Sequence, residues 1–130
     1  MVDYNTKSSL GSLVMDYSLF VPGTYFESTS VFLDVATAGY VPAVGDILCY
    51  KSDDTNKHQK YDRTDAALVI LGIIHEIKLD NTAVTPIQEL SFATDCSVYY
   101  GALGMTGTMN AAQKLALKLL LRAKNVNLVD

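Results

Sequence analysis

The chain has 130 residues, of which 49% are hydrophobic and 18% charged, enough apolar material for one folded domain and too much for a disordered chain. Fourteen acidic against ten basic residues leave a net charge of -4, which argues against nucleic acid as a direct partner. Two cysteines are too few for a disulfide framework, no run reaches the roughly 18 apolar residues of a membrane span, and no signal segment is expected, so the expectation is a protein that partners neither membrane nor nucleic acid.

Met1 to Ser12 is polar and is expected to be mobile until something docks it. Leu13 to Phe26, LVMDYSLFVPGTYF, is apolar and aromatic, and Pro22-Gly23 interrupts it with a type II turn signal. It reads as two extended pieces around a turn, or as an arm with no core of its own. Val31 to Val35 alternates like a half-buried strand, and Ala36–Val44 reads as a loop. Gly45-Asp46 is a turn dipeptide before a short apolar strand, Ile47–Tyr50. The loop Lys51–Asp65 is polar enough that it is expected to stay out of any core. Leu68–Ile74 is apolar at nearly every position, the mark of a strand buried on both faces, within a domain or between subunits.

Lys78–Thr82 is a polar turn. Pro86 limits Val84–Phe92 to an edge strand. Ala93–Asp95 turns, Cys96–Leu103 is a strand of high β propensity, and Gly101, Gly104 and Gly107 then break regularity. The best-defined element is last. Asn110 and Gln113 form a capping-box pair, and Ala111–Lys124 is made of strong helix formers. Ala112, Leu115, Ala116, Leu119, Leu120 and Ala123 share one face, expected to pack on the core so that Leu119→Asp unfolds the domain. Asn125 suits a left-handed residue after the helix, and Val126–Val129 alternates like a closing strand.

Catalytic and cofactor motifs are missing from the sequence. It contains no GxxxxGK[ST], no GxGxxG and no GxSxG. Cys49 and Cys96 read as buried strand thiols. His58 reads as solvated and His75 as an edge or interface residue, too few ligands for a metal. Asp53, Asp54 and Asn56 lack the Gly and Glu of a calcium loop, and Glu76 and Asp80 near His75 show no pocket for a general base. Lys114, Lys118 and Arg122 form either a solvated face or a grip for an acidic partner. Of Tyr99 and Tyr100, on opposite faces of a strand, one suits a core and one an interface.

Several residues fall in a known order: Gly45, Ile47, Leu48; then Leu71, Gly72, Ile73, Ile74; then Gly101 and Leu103; then Ala116, Leu119, Leu120, Asn125, Val126 and Leu128. Over roughly residues 41–130 this resembles the head decoration (cement) proteins of tailed phages, lambda type. Their pattern is G-x-x-L … A-x-G-I-L, a strand ending in Gly, and a closing A-x-x-x-L-x-x-x-G-I-x-L. Asn125 departs from the usual Gly, and the first forty residues are more aromatic than the short Thr/Pro-rich arm of that family.

The resemblance implies a mainly β fold with one C-terminal helix (α+β, β-tulip-like) at 111–124. It implies an N-terminal capsid-binding arm at 1–30 and a decoration domain at 31–130. The protein would be a homotrimer on the outer surface of the expanded virion head, assembled in the host cytoplasm. It would bind the major capsid protein and stabilise the shell against the pressure of packaged DNA, with no enzymatic activity, cofactor or metal. The expected arm contacts are Tyr17, Leu19, Phe20, Tyr25 and Phe26; the expected trimer interface is Ile73, His75, Tyr99 and Tyr100. Burying an arm side chain contributes about 1.5–3 kcal/mol against ordering costs of about 1–2 kcal/mol per residue, so one arm binds weakly and three linked arms bind well. The alternatives are another virion accessory protein (tail, head-fibre or baseplate) or a small intracellular binding domain using the loop Lys51–Asp65.

Overall fold

The computed structural model places strands β1 (Lys7–Leu10), β2 (Leu13–Asp16), β3 (Glu27–Phe32), β4 (Ile47–Lys51), β5 (His58–Lys60), β6 (Leu68–Lys78), β7 (Glu89–Thr94) and β8 (Cys96–Tyr99), then helix α1 (Ala111–Arg122) and strand β9 (Val126–Val129). It describes residues 7–10, 13–35, 40–52, 57–65, 67–78, 89–104 and 108–130. Among these the chain is mainly β with one C-terminal helix, as expected.

The apolar run around Ile73 becomes β6, the strand on which the sheet is built. Ile73 pairs with Ile47 of β4 on one side and Ala93 of β7 on the other, and Ile77 likewise lies between Val14 of β2 and Leu90 of β7. All these pairings are antiparallel. β5 extends β4, β3 extends β7 and β1 extends β2. Beyond β3 the chain continues to Val35, which bridges His58 of β5. The outer strands therefore meet, and the sheet curls into a roll.

Two bulges in β6 make the curl possible. Leu48 pairs with Gly72 and Cys49 with Ile70, so the ladder skips Leu71. Phe92 pairs with Ile74 and Ser91 with Glu76, so it skips His75. Each skipped residue bends the strand and reverses which face its neighbours occupy. Ile74, Ile77, Leu48, Leu90 and Phe92 consequently form one buried cluster. Ile70, Ile73, Ile47 and Ala93 join another, with Leu19, Val98, Leu117, Leu121, Val126 and Leu128. Gly72 lies so close to β7 that a Cβ there would meet Ala93 O at 2.5 Å and Phe92 Cδ2 at 2.7 Å.

β8, α1 and β9 cover the second cluster. β8 and β9 are parallel, Cys96 pairing with Val126 and Val98 with Leu128, and parallel neighbours need a crossover such as α1. The capping box forms as expected: Asn110 Oδ1 accepts from Gln113 N at 2.9 Å, and Gln113 Oε1 accepts from Asn110 N at 3.0 Å. Asn125 takes a left-handed φ of 56°, which Asn tolerates well.

Several expectations are corrected. The polar loop Lys51–Asp65 contains β5, and His58 and Tyr61 are buried within it. His58 enters because its Nδ1 accepts from Asp34 N at 2.9 Å, which satisfies the ring without a charge. β7 is an interior strand between β3 and β6, although Pro86 lies outside the described residues. β8 stops at Tyr99, and Tyr100–Ala102 is a short 3-10 turn. The expected mobility of residues 1–12 and the calcium-loop candidates Asp53, Asp54 and Asn56 fall wholly or largely outside the described residues; within that segment Lys7–Leu10 pairs with β2.

The helix sits the other way round. Leu117 and Leu121 are fully buried, whereas Leu115, Leu119 and Leu120 are 59%, 55% and 50% exposed. Leu121→Asp should therefore cost about 3–5 kcal/mol, as expected for an unpaired charge in a packed core. Leu119→Asp should stay within about 0.5 kcal/mol of wild type when both are compared as single chains at low concentration. Urea denaturation of both variants distinguishes the two orientations of the helix.

Candidate functional site

The Gly45-Asp46 turn ties the sheet to the segment that carries the helix. Gly45, at φ 98°, donates its N–H to Ile74 O at 2.8 Å, and Ile74 N returns a bond to Asp46 O at 2.9 Å. Ile47 N donates to Gly104 O at 3.1 Å and Gly104 N to Gly45 O at 2.9 Å. The Asp46 carboxylate is buried and accepts from Tyr40 Oη at 2.9 Å and Ala43 N at 3.0 Å, with Lys60 Nζ at 3.8 Å. Burial and the adjacent Asp46 push the Tyr40 phenol far above its ordinary range. A Cβ on Gly104 would overlap Asp46 Oδ1. These bonds make the cluster a clamp that holds the crossing.

Leu19, Phe20 and Phe26 of the expected arm pack within the chain against the core that holds Ile73 or against the His75 ring. Leu19 is 2% exposed and belongs to the core. Phe20 bridges Val98 and stacks on Phe26 with centroids 4.5 Å apart. Phe26 lies 4.9 Å from the His75 ring, and Ser28 Oγ is hydrogen-bonded to His75 Nε2 at 2.8 Å. The leader thus has a core after all, because the bulge at His75 turns that ring toward it. Ile73 and His75 are buried within their own chain. Tyr25 remains exposed, with its hydroxyl donating to Glu27 Oε1 at 2.7 Å. The side chain of Tyr17 lies outside the described residues. Tyr99 is half-buried on β8, and Tyr100 is half-buried beneath Lys114 Nζ, 4.2 Å from its ring centroid.

Among the described residues no group of three His, Cys, Asp or Glu side chains could hold a metal ion. Cys49 and Cys96 are free and buried, as expected. Burial pushes their thiols up to about 12 and about 11, which removes thiolate chemistry at neutral pH.

Among the described residues, the outer face of α1 is an exposed apolar stripe. At 100° per residue, Leu115, Leu119 and Leu120 together with Ala112, Ala116 and Ala123 occupy one arc, and all six are exposed. The helix contains no acidic residue. Lys114 and Lys118 are drawn to the Asp130 carboxylate, while Arg122 stands exposed beside the apolar arc. The periodicity of the sequence located this stripe correctly but could not orient it. Five leucines in one short helix point all the way round, and only Leu117 and Leu121 meet β6, β8 and β9. No protein-family model matches the chain, and a search of curated proteins finds no match.

Burial lowers the His75 imidazole from 6.5 to about 4, and burial lowers His58 as well. A group whose pKa falls on folding stabilises the fold above its unfolded pKa and loses that contribution as pH drops toward its folded pKa. Stability should therefore decline between about pH 6.5 and 4, with a limiting slope on the order of 1.4 kcal/mol per pH unit for each fully coupled proton. Urea midpoints across this window should fall less steeply for His75→Gln, which keeps a partner for Ser28. Equal slopes would contradict the burial of a neutral His75.

Proposed function

We propose that the protein is a structural assembly component of the capsid-decoration type: a homotrimer that binds the major capsid protein on the outside of the expanded virion head and stabilises it. The observation that carries this reading is the outward apolar stripe of α1, Leu115, Leu119 and Leu120. A soluble monomer has little reason to hold three leucines outward on a helix fixed at both ends, whereas an assembling chain buries them against a partner. The resemblance to lambda-type decoration proteins supports the trimer, and its motif residues Gly45, Ile47, Gly72 and Ile73 lie at the centre of the fold. The finer β-tulip-like architecture belongs to the same proposal.

Leu19, Phe20 and Phe26 are spent on the chain's own core, which moves the contact from these residues to the helix. The stripe closes the trimer, Arg122 at its border selects an acidic neighbour, and exposed Tyr25 is left from the leader to meet the shell. Light scattering of the full chain should give three times the 14.2 kDa chain mass, and Leu119→Asp should give the single-chain mass with an unchanged circular-dichroism spectrum. The wild-type trimer should co-sediment with expanded heads of its virus and not with unexpanded ones. A monomer at high concentration, or equal binding to both kinds of head, would overturn the proposal.

A further inference from the structure

An open cavity of about 380 Å³ lies between β3 and the β4–β5 pair of the roll. Its walls are Leu71, the residue skipped by the β6 ladder, together with Phe92 and Val31. Tyr50 and His58 line it from the facing strands, and Thr29 and Ser30 form its rim. Five strands thus contribute to one concave surface, with apolar walls and a few polar groups, the usual constitution of a small-molecule site at the mouth of a barrel.

The lining also restricts what can enter. None of its described residues is a carboxylate, lysine or arginine, so a charged ligand would lose its hydration with no counter-charge to replace it. His58 Nδ1 already accepts from Asp34 N at 2.9 Å. The neutral ring then carries its proton on Nε2 and offers a donor from its other edge. Burial of His58 keeps the ring neutral near pH 7.

We propose that this cavity binds a small, neutral, largely apolar molecule, one or two rings in size, that carries a hydrogen-bond acceptor such as a carbonyl for His58 Nε2. The proposal stands apart from the assembly role, because the cavity residues lie on β3 to β7 and the leucine stripe on α1.

The test is a titration of the full chain with acetophenone and, separately, with benzoate, followed by amide and imidazole NMR shifts. Acetophenone should shift residues of the lining, and benzoate should bind about tenfold more weakly or less. Thr29→Trp, a change at an exposed rim position, should block the cavity and abolish the acetophenone shifts while leaving the rest of the spectrum in place. His58→Asn keeps an acceptor for Asp34 N and removes the Nε2 donor, so it should weaken acetophenone about fivefold or more. No shifts at 20 mM probe, equal binding of ketone and carboxylate, undiminished binding in Thr29→Trp, or an unchanged affinity in His58→Asn would each overturn the proposal. Lining shifts that depend on protein concentration without any probe would also overturn it, since a second chain would then fill the opening.

Discussion

The fold depends on a crossing of backbones at Gly45 and Gly104, held by a buried carboxylate. A Cβ on Gly45 would lie 2.5 Å from Ala102 O, so only glycine fits there. Asp46 then gathers Tyr40, Ala43 N and Lys60 around one charge in the interior. Removing either partner of such a cluster strands a polar group away from water, which costs more than the bond contributes while it is made. Through this crossing the 3-10 turn after β8 is fixed to the start of β4, and that sets where α1 lies over the sheet.

The second constraint is the room beneath α1. The core on that side already holds Leu19, Ile47, Ile73 and Val98, and Phe20 and Phe26 fill the space near His75. A helix placed over this surface can bury one narrow side, and Leu117 and Leu121 take it. The leader's entry into the core and the leucines left outside are therefore consequences of one packing problem. In an isolated chain that outcome exposes apolar surface; in an assembly it supplies an interface.

Much of the fold was legible in the sequence, for reasons specific to each element. The Gly45-Asp46 turn, the capping box of Asn110 and Gln113, the left-handed Asn125 and the buried cysteines each follow from local chemistry, and each is present. The bulges at Leu71 and His75 were not legible, since the nearly continuous apolar run Leu68–Ile74 carries no period to interrupt. His58 is buried because of a bond from Asp34, 24 residues away in sequence, and a polar loop composition hides such a bond. The helix stripe was read correctly as a face and wrongly as an inner face, because periodicity gives the spacing of an apolar arc and not the side on which its partner sits. On the assembly proposed above, that partner is a second chain.

In the proposed trimer the leucine face of α1, and not the leader, is what becomes covered when three chains associate. A spin label on Leu119→Cys measures this most directly, with a second label on Tyr25→Cys as the leader control. Selective labelling is feasible because Cys49 and Cys96 are buried with raised pKa values. On dilution from trimer to monomer, the signal at position 119 should change from immobile to mobile while the signal at position 25 stays mobile. A label at 119 that is mobile at every protein concentration, with immobilisation at position 25 instead, would contradict the account.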